Sequence, residues 1–303
     1  MKIIYGYSNC SDDRYKKIVS ENNIAVLQPD QKYHGLLIKG LADNDIDVYC
    51  ISGLPINREV TKRLFINEED EIEGRIKYHY IRSINLPILR HIMIFMESLL
   101  FCLRQNSNDT YALCDCLNIS NVLGILIGCH IRGIKVCLIV TDIPDMLSKR
   151  GFIRYIRNRL LNKADSYIYL TKQMNERLNK YNKPYLVLEG HVDSKIDITD
   201  TYKYELDYKK VILYAGSISK LYGINNLVEA YIKADIKNSE LRIYGDGDYR
   251  EELIEICNKY KNIKYMGITN NENIVLEEKK ASLLVNPRPS GPEYTKYSFP
   301  SKT

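Results

Sequence analysis

Three short stretches of this chain put glycines where a strand must hand over to a helix. Gly216-Ser217-Ile218-Ser219-Lys220 follows the apolar run Val211–Ala215, Gly245-Asp246-Gly247-Asp248 follows Leu241–Tyr244, and Gly267 follows Ile263–Met266. A glycine there lets the backbone turn tightly and leaves N–H groups facing outward, an arrangement that binds phosphate at a helix N-terminus. A fourth run, Ser282–Val285, leads into Asn286-Pro287-Arg288-Pro289 and adds a cation to the same set of strand ends. One such turn proves little. Three after successive strands, at regular intervals, read as a phosphate-binding α/β domain.

Elements able to position these turns alternate along the whole chain. Ile3–Tyr5, Val48–Ile51, Tyr111–Cys114, Val136–Val140, Ser166–Leu170 and Tyr185–Leu188 predict buried strands. Segments 33–43, 88–104, 118–131, 149–163 and 172–180 carry helical spacing, and further helices follow the glycine turns, the last over 271–280. That alternation predicts βαβ units and parallel sheets, an α/β fold. Asp-rich, weakly apolar sequence then interrupts it. We therefore expect a first domain over 1–190, a linker over 191–208 and a second domain over 209–303.

Composition narrows the class. The 303 residues are 45% hydrophobic and 27% charged with a net charge of +5, which excludes a disordered chain and suits two domains. The eight cysteines are scattered, mostly in apolar runs and without a CxxC pair, so they read as buried thiols in a reducing cytosol. Cys114-Asp115-Cys116 is a lone CxC with no nearby His pair, weak as a metal site. The N-terminus runs straight into a strand and shows no signal-peptide core. Leu86 to Leu103 is interrupted by Arg90, His91 and Glu97, so a buried or surface-lying helix is expected there.

Charge is uneven. Residues 1–195 hold 27 Lys/Arg against 22 Asp/Glu, whereas residues 196–303 hold 16 of each. Within the first part, 149–163 has six basic residues and no acid, interleaved with Phe152, Ile153, Tyr155, Ile156, Leu160 and Leu161. This basic amphipathic helix is either a solvated face or a surface drawn to anionic lipid headgroups or a phosphate-bearing acceptor. Nucleic-acid binding is not expected, because the basic excess is modest and no recognised module surrounds it.

Taken together, Val211–Gly216 with Tyr222-Gly223-Ile224, Arg242–Gly247, Lys264–Gly267 and Ala281–Pro287 resemble the donor domain of GT-B glycosyltransferases. The nearest group is the retaining, GT4-like "glycosyl transferases group 1" of bacterial polysaccharide assembly. Ser298-Phe299-Pro300-Ser301-Lys302 is similar to the entry of that family's acidic nucleotide-sugar motif, and Glu189–Asp193 to its strand–loop leaving the acceptor domain. His34-Gly35, ahead of a helix over 35–43, stands where the family keeps a glycine-rich loop facing the donor.

The resemblance implies two Rossmann-like, doubly wound domains facing a cleft, the second incomplete here. It implies a cytoplasmic enzyme at the inner face of the plasma membrane that moves sugar from a nucleotide-sugar to a lipid-linked or growing glycan. No metal is implied, so the departing diphosphate must be stabilised by backbone N–H groups, helix N-termini and cations. The residues it nominates on the donor side are His34, Gly35, Gly216, Ser217, Lys220, Gly245, Met266, Gly267, Arg288, Ser298, Phe299, Ser301 and Lys302; Asp142 is nominated on the acceptor side.

The chain also departs from the pattern. Ser217 and Tyr222 stand where relatives have Arg and Lys, Thr141-Asp142 replaces His-Asp, and Tyr297 replaces the motif's first glutamate. The second glutamate would fall beyond Thr303, so a C-terminally truncated chain is expected, with strand 282–285 left as a hydrophobic edge. These departures motivate an alternative: a non-catalytic nucleotide-binding remnant. A third reading, an NAD-dependent oxidoreductase, is allowed by the α/β alternation but disfavoured, since Arg250 occupies the third glycine position of G-x-G-x-x-G.

Overall fold

A computed structural model describes residues 1–22, 28–143, 151–193, 209–269, 271–291 and 293–298. The chain divides into two compact units, Met1–Asp193 and Ser194–Thr303. Most of the expected linker, 191–208, lies outside the described residues.

Unit 1 is built on an eight-stranded sheet. Its strands are β1 (Lys2–Gly6), β2 (Asp47–Ser52), β4 (Glu71–Glu73), β5 (Ile76–Tyr80), β7 (Thr110–Asp115), β8 (Lys135–Val140), β9 (Ser166–Tyr169) and β10 (Tyr185–Val187). They lie in the order β10-β9-β8-β7-β1-β2-β5-β4, all parallel except β4. The short pair β3 (Phe65–Ile66) and β6 (Ser83–Ile84) is antiparallel. Helices α1 (Asp12–Asn22), α2 (Gln28–Asp43), α3 (Pro87–Leu103), α4 (Ile119–Ile131), α5 (Gly151–Leu161) and α6 (Lys172–Leu178) connect them.

Local chemistry explains where these elements begin. Pro87 opens α3, Asn118 accepts from the Asn121 N–H at the start of α4, and Thr171 accepts from Met174 at the start of α6. A parallel sheet is covered on both faces, so its strands read as apolar runs. Ile4, Tyr5, Val48, Cys50, Ile51, Val136 and Leu138 are accordingly buried. Each fully buried aliphatic side chain contributes about 2 kcal/mol.

One expectation needs correction here. Helix α2 starts at Gln28, with Pro29 and Asp30 in its first turn, so His34 and Gly35 sit inside the helix and not in a loop ahead of it. Proline and an acid are favoured in a helix's first turn, and they outweigh the helix-weakening Gly35.

Unit 2 repeats the plan on four parallel strands, β11 (Lys210–Ala215), β12 (Ser239–Tyr244), β13 (Ile263–Gly267) and β14 (Leu283–Leu284), in the order β13-β12-β11-β14. Helices α7 (Ile224–Ala234), α8 (Arg250–Lys259) and α9 (Asn271–Lys280) link them, with a 3-10 turn at Lys220–Tyr222. Ile212, Tyr214, Ile218, Ile224, Val228, Leu241, Ile243 and Leu253 form its main core. Among the described residues Leu283 and Leu284 stand on the edge strand, half exposed, paired with β11.

Candidate functional site

In an open parallel sheet, ligands meet the carboxyl ends of strands where the winding direction reverses. In unit 1 that point lies between β1 and β7. Tyr7 follows β1 and Asp115 closes β7. His34, from α2, reaches both: its ring stacks on Tyr7 at 3.8 Å between centroids, and Nε2 lies 3.3 Å from Asp115 Oδ2. Burial holds the Tyr5 phenol protonated, and its hydroxyl lies 2.6 Å from His34 Nδ1. Asp115 also accepts from the Leu117 N–H at 2.7 Å and from the Thr141 hydroxyl at 3.2 Å. The histidine is thus spent inside the protein.

Around this knot the edge is acidic. The Tyr7 hydroxyl donates to Asp30, whose carboxyl is raised above its ordinary range, chiefly by burial. Asp142 directly follows Thr141 and faces solvent with crowded surroundings. Burial raises its carboxyl first, and the negative charges of Asp115 and Asp30 raise it further. His191 packs on Tyr33 at 4.3 Å, and burial together with His34 lowers its proton affinity. Sequence reasoning picked out His34 and Asp142 but missed Tyr7, Asp30 and Asp115. The one available signal was Asp115 itself, an acid inside an apolar strand.

In unit 2 the winding reverses between β11 and β14, which places Gly216 and the Pro287-Arg288 segment side by side. The three glycine turns are stitched together. The Gly216 N–H donates to Tyr244 O at 3.0 Å, Gly245 N–H to Gly267 O at 2.8 Å and Ile218 N–H to Asp246 O at 2.8 Å. Gly245 has φ +130°, and a Cβ there would stand 1.8 Å from Gly216 O. Only glycine fits.

Arg288 closes the group from the other side. Its guanidinium lies 5.0 Å from the Tyr222 ring centroid and its Nη1 donates to Ser298 Oγ at 2.7 Å. Gly223, at φ +79°, lets the start of α7 approach so closely that a Cβ would meet Pro287 O at 2.2 Å. The Tyr214 hydroxyl donates to Ser217 O at 2.9 Å; burial pushes that phenol up to about 12 while Arg288 opposes the rise. Ser217, Tyr214, Tyr222, Arg288 and Ser298 therefore share one neighbourhood.

Lys220 points elsewhere. Its Nζ pairs with Glu252 Oε1 at 2.6 Å and lies 5.4 Å from the Tyr249 ring. Met266 lies half exposed on β13 beside Gly267. Phe299, Ser301 and Lys302 lie outside the described residues.

No family model matches the chain, and no curated protein does. Solved structures do. The chain superposes on the lipopolysaccharide outer core galactosyltransferase WaaB in its apo form with a TM-score of 0.57 and 14% identity, covering 94% of this chain and 73% of that one. The catalytic domain of starch synthase IV from Arabidopsis thaliana, bound to ADP and acarbose, gives 0.61 and 9%, over 95% and 78%. Anabaena HepE in complex with UDP gives 0.55 and 10%, over 95% and 74%.

The chain has the GT-B fold. At these identities the likeness establishes architecture alone, since one fold hosts many chemistries. The GT-B assignment agrees with the winding of both sheets. It also gives the two carboxyl edges described above their place in a known architecture: the Asp115–Asp142 edge in the first Rossmann-like unit, the Gly216–Arg288 edge in the second.

Proposed function

We propose that this chain is a retaining, GT4-type glycosyltransferase that moves a sugar from a nucleotide-sugar to a lipid-linked or growing glycan in cell-surface polysaccharide synthesis. The observation that carries the reading is Arg288 beside Tyr222 and Ser298 at the point where unit 2 reverses its winding, next to the turn that begins at Gly216. When the bond from the anomeric carbon to the diphosphate breaks, charge builds on the diphosphate oxygens. The N-terminus of α7 and a fixed guanidinium supply stabilisation where that charge grows.

In this proposal Ser217, Arg288 and Ser298 contact the diphosphate, Gly216, Gly245 and Gly267 leave the strand ends bare enough to admit it, and Met266 flanks the base. Phe299, Ser301 and Lys302 complete the donor site by the resemblance. Asp142 engages the acceptor hydroxyl, and its raised proton affinity suits it to draw on that proton. His34 and Gly35 frame the unit 1 edge from within α2. No metal is required, and the chain works at the cytoplasmic membrane face, with 149–163 toward the lipid.

The test is turnover of a panel of UDP-, GDP- and ADP-sugars with an excess of chelator, the anomer being read by NMR. Sugar transfer that survives chelation with the donor's anomeric configuration kept supports the reading. No turnover across the panel, strict metal dependence or an inverted product refutes it.

A further inference from the structure

Helices α3 and α4 of unit 1 pack side by side, and glycine sets their distance. A Cβ on Gly124 would stand 2.5 Å from Phe95 O, and one on Gly128 would stand 2.7 Å from Cys102 Cβ. Each helix buries one face: Ile94, Ser98 and Cys102 on α3, and Val122, Ile125 and Cys129 on α4. The opposite faces are apolar too. Ile88, Ile92, Met96 and Leu100 stand exposed on successive turns of α3, and Ile127 and Ile131 on successive turns of α4. These six side chains expose roughly 600 Å² of mostly apolar surface. That is at the top of what a monomer displays, and approaches the ~800 Å² that each partner of a stable complex buries.

The polar side chains of α3 are engaged away from this face. Arg90 donates to Gly53 O and, at 2.9 Å, to Leu54 O; Glu97 lies 3.5 Å from His79 Nε2, and His91 Nδ1 lies 3.0 Å from Ser120 Oγ. A seam of aliphatic side chains offers no grip to lipid phosphates or to a charged partner, but it matches an identical seam. Residues 88, 92, 96 and 100 form one i±4 ridge. Two such ridges interdigitate at a crossing angle of about −50°, the commonest packing of helices in globular proteins. A two-fold axis at the midpoint of the ridge, between Ile92 and Met96, lets each copy present the same patch to the other.

We propose that the outer faces of α3 and α4 form the isologous interface of a homodimer of this chain. The proposal rests on unit 1 and stands whether or not the nucleotide-sugar reading does. Sedimentation velocity of the full chain between about 1 and 100 μM tests it. The native chain sediments as a dimer in the upper part of that range and dissociates on dilution. I92E/M96E places carboxylates on both sides of the axis, weakens association roughly 100-fold or more, and sediments as a monomer. I88E, at the rim of the patch where the side chain is 77% exposed and the fold is least disturbed, weakens it about tenfold. I72E, at a 70% exposed position on β4, leaves it unchanged. Circular dichroism of each variant checks that the fold is kept. A native chain that stays monomeric throughout overturns the proposal; if that monomer binds phosphatidylcholine vesicles and I92E/M96E does not, the face belongs to a bilayer. A dimer indifferent to I88E and I92E/M96E overturns it as well, as does an equal loss in I72E or assembly that continues past the dimer.

Discussion

His34 Nε2 lies 3.3 Å from Asp115 Oδ2, and each side chain is 1% exposed. The contact joins α2 to the end of β7 and, through the Thr141 hydroxyl, to the loop after β8. It therefore holds in place the segments that carry Asp30 and Asp142.

Breaking that contact leaves a buried carboxylate short of a partner. His34→Ala is expected to destabilise unit 1 by about 3 kcal/mol, measured by urea unfolding of the full chain. A loss below about 1 kcal/mol would mean that Asp115 is satisfied without the histidine.

Gly35 and Gly245 should answer differently to the same substitution. Gly35 lies inside α2, where an added Cβ meets nothing within 4 Å, so Gly35→Ala should stabilise by about 0.5–1 kcal/mol. Gly245→Ala drives a Cβ into Gly216 O and should cost unit 2 about 3 kcal/mol. Thermal melts of the two variants decide it.

Lys220 and Arg288 should separate in nucleotide binding. Lys220 is paired with Glu252 at the surface, so Lys220→Ala should leave UDP affinity unchanged and alter stability by under about 0.5 kcal/mol. Arg288→Ala should weaken UDP about tenfold or more, since a charge-assisted contact to phosphate is lost. Calorimetric titration of both variants measures the difference.

Asp142 gives a pH signature. Its folded carboxyl is raised, first by burial and then by Asp115 and Asp30, so the folded chain holds that proton more tightly than the unfolded chain. As pH climbs through the ordinary carboxylate range, the unfolded chain releases the proton first and this contribution to stability falls. Asp142→Asn removes the effect. The variant should gain stability relative to the native chain between about pH 4 and neutrality, and unfolding curves across that range check the sign.

The parallel core was legible because buried strands such as Val136–Val140 and Val211–Ala215 are continuous apolar runs. Helix α1 and the strands β3 to β6 were not. Helix α1 buries only Ile18 and is tied down by Arg14 pairing with Glu68 and Glu71, and β4 reads Glu-Ile-Glu, so neither offers an apolar run. The glycine turns of unit 2 announced themselves one by one. What no spacing revealed was adjacency: Tyr7, His34, Asp115 and Thr141 lie on four separate elements and meet only through strand order. The pairing of Lys220 with Glu252, 32 residues on and one helix away, was equally invisible to local spacing.

Titration of the full chain with UDP and with uridine, repeated on Arg288→Ala, tests the central claim most directly. The account predicts that UDP binds far more tightly than uridine and that the substitution erases most of that advantage while leaving uridine binding unchanged. Equal affinity for the two ligands, or UDP binding indifferent to Arg288, would contradict a diphosphate seat at the carboxyl edge of unit 2.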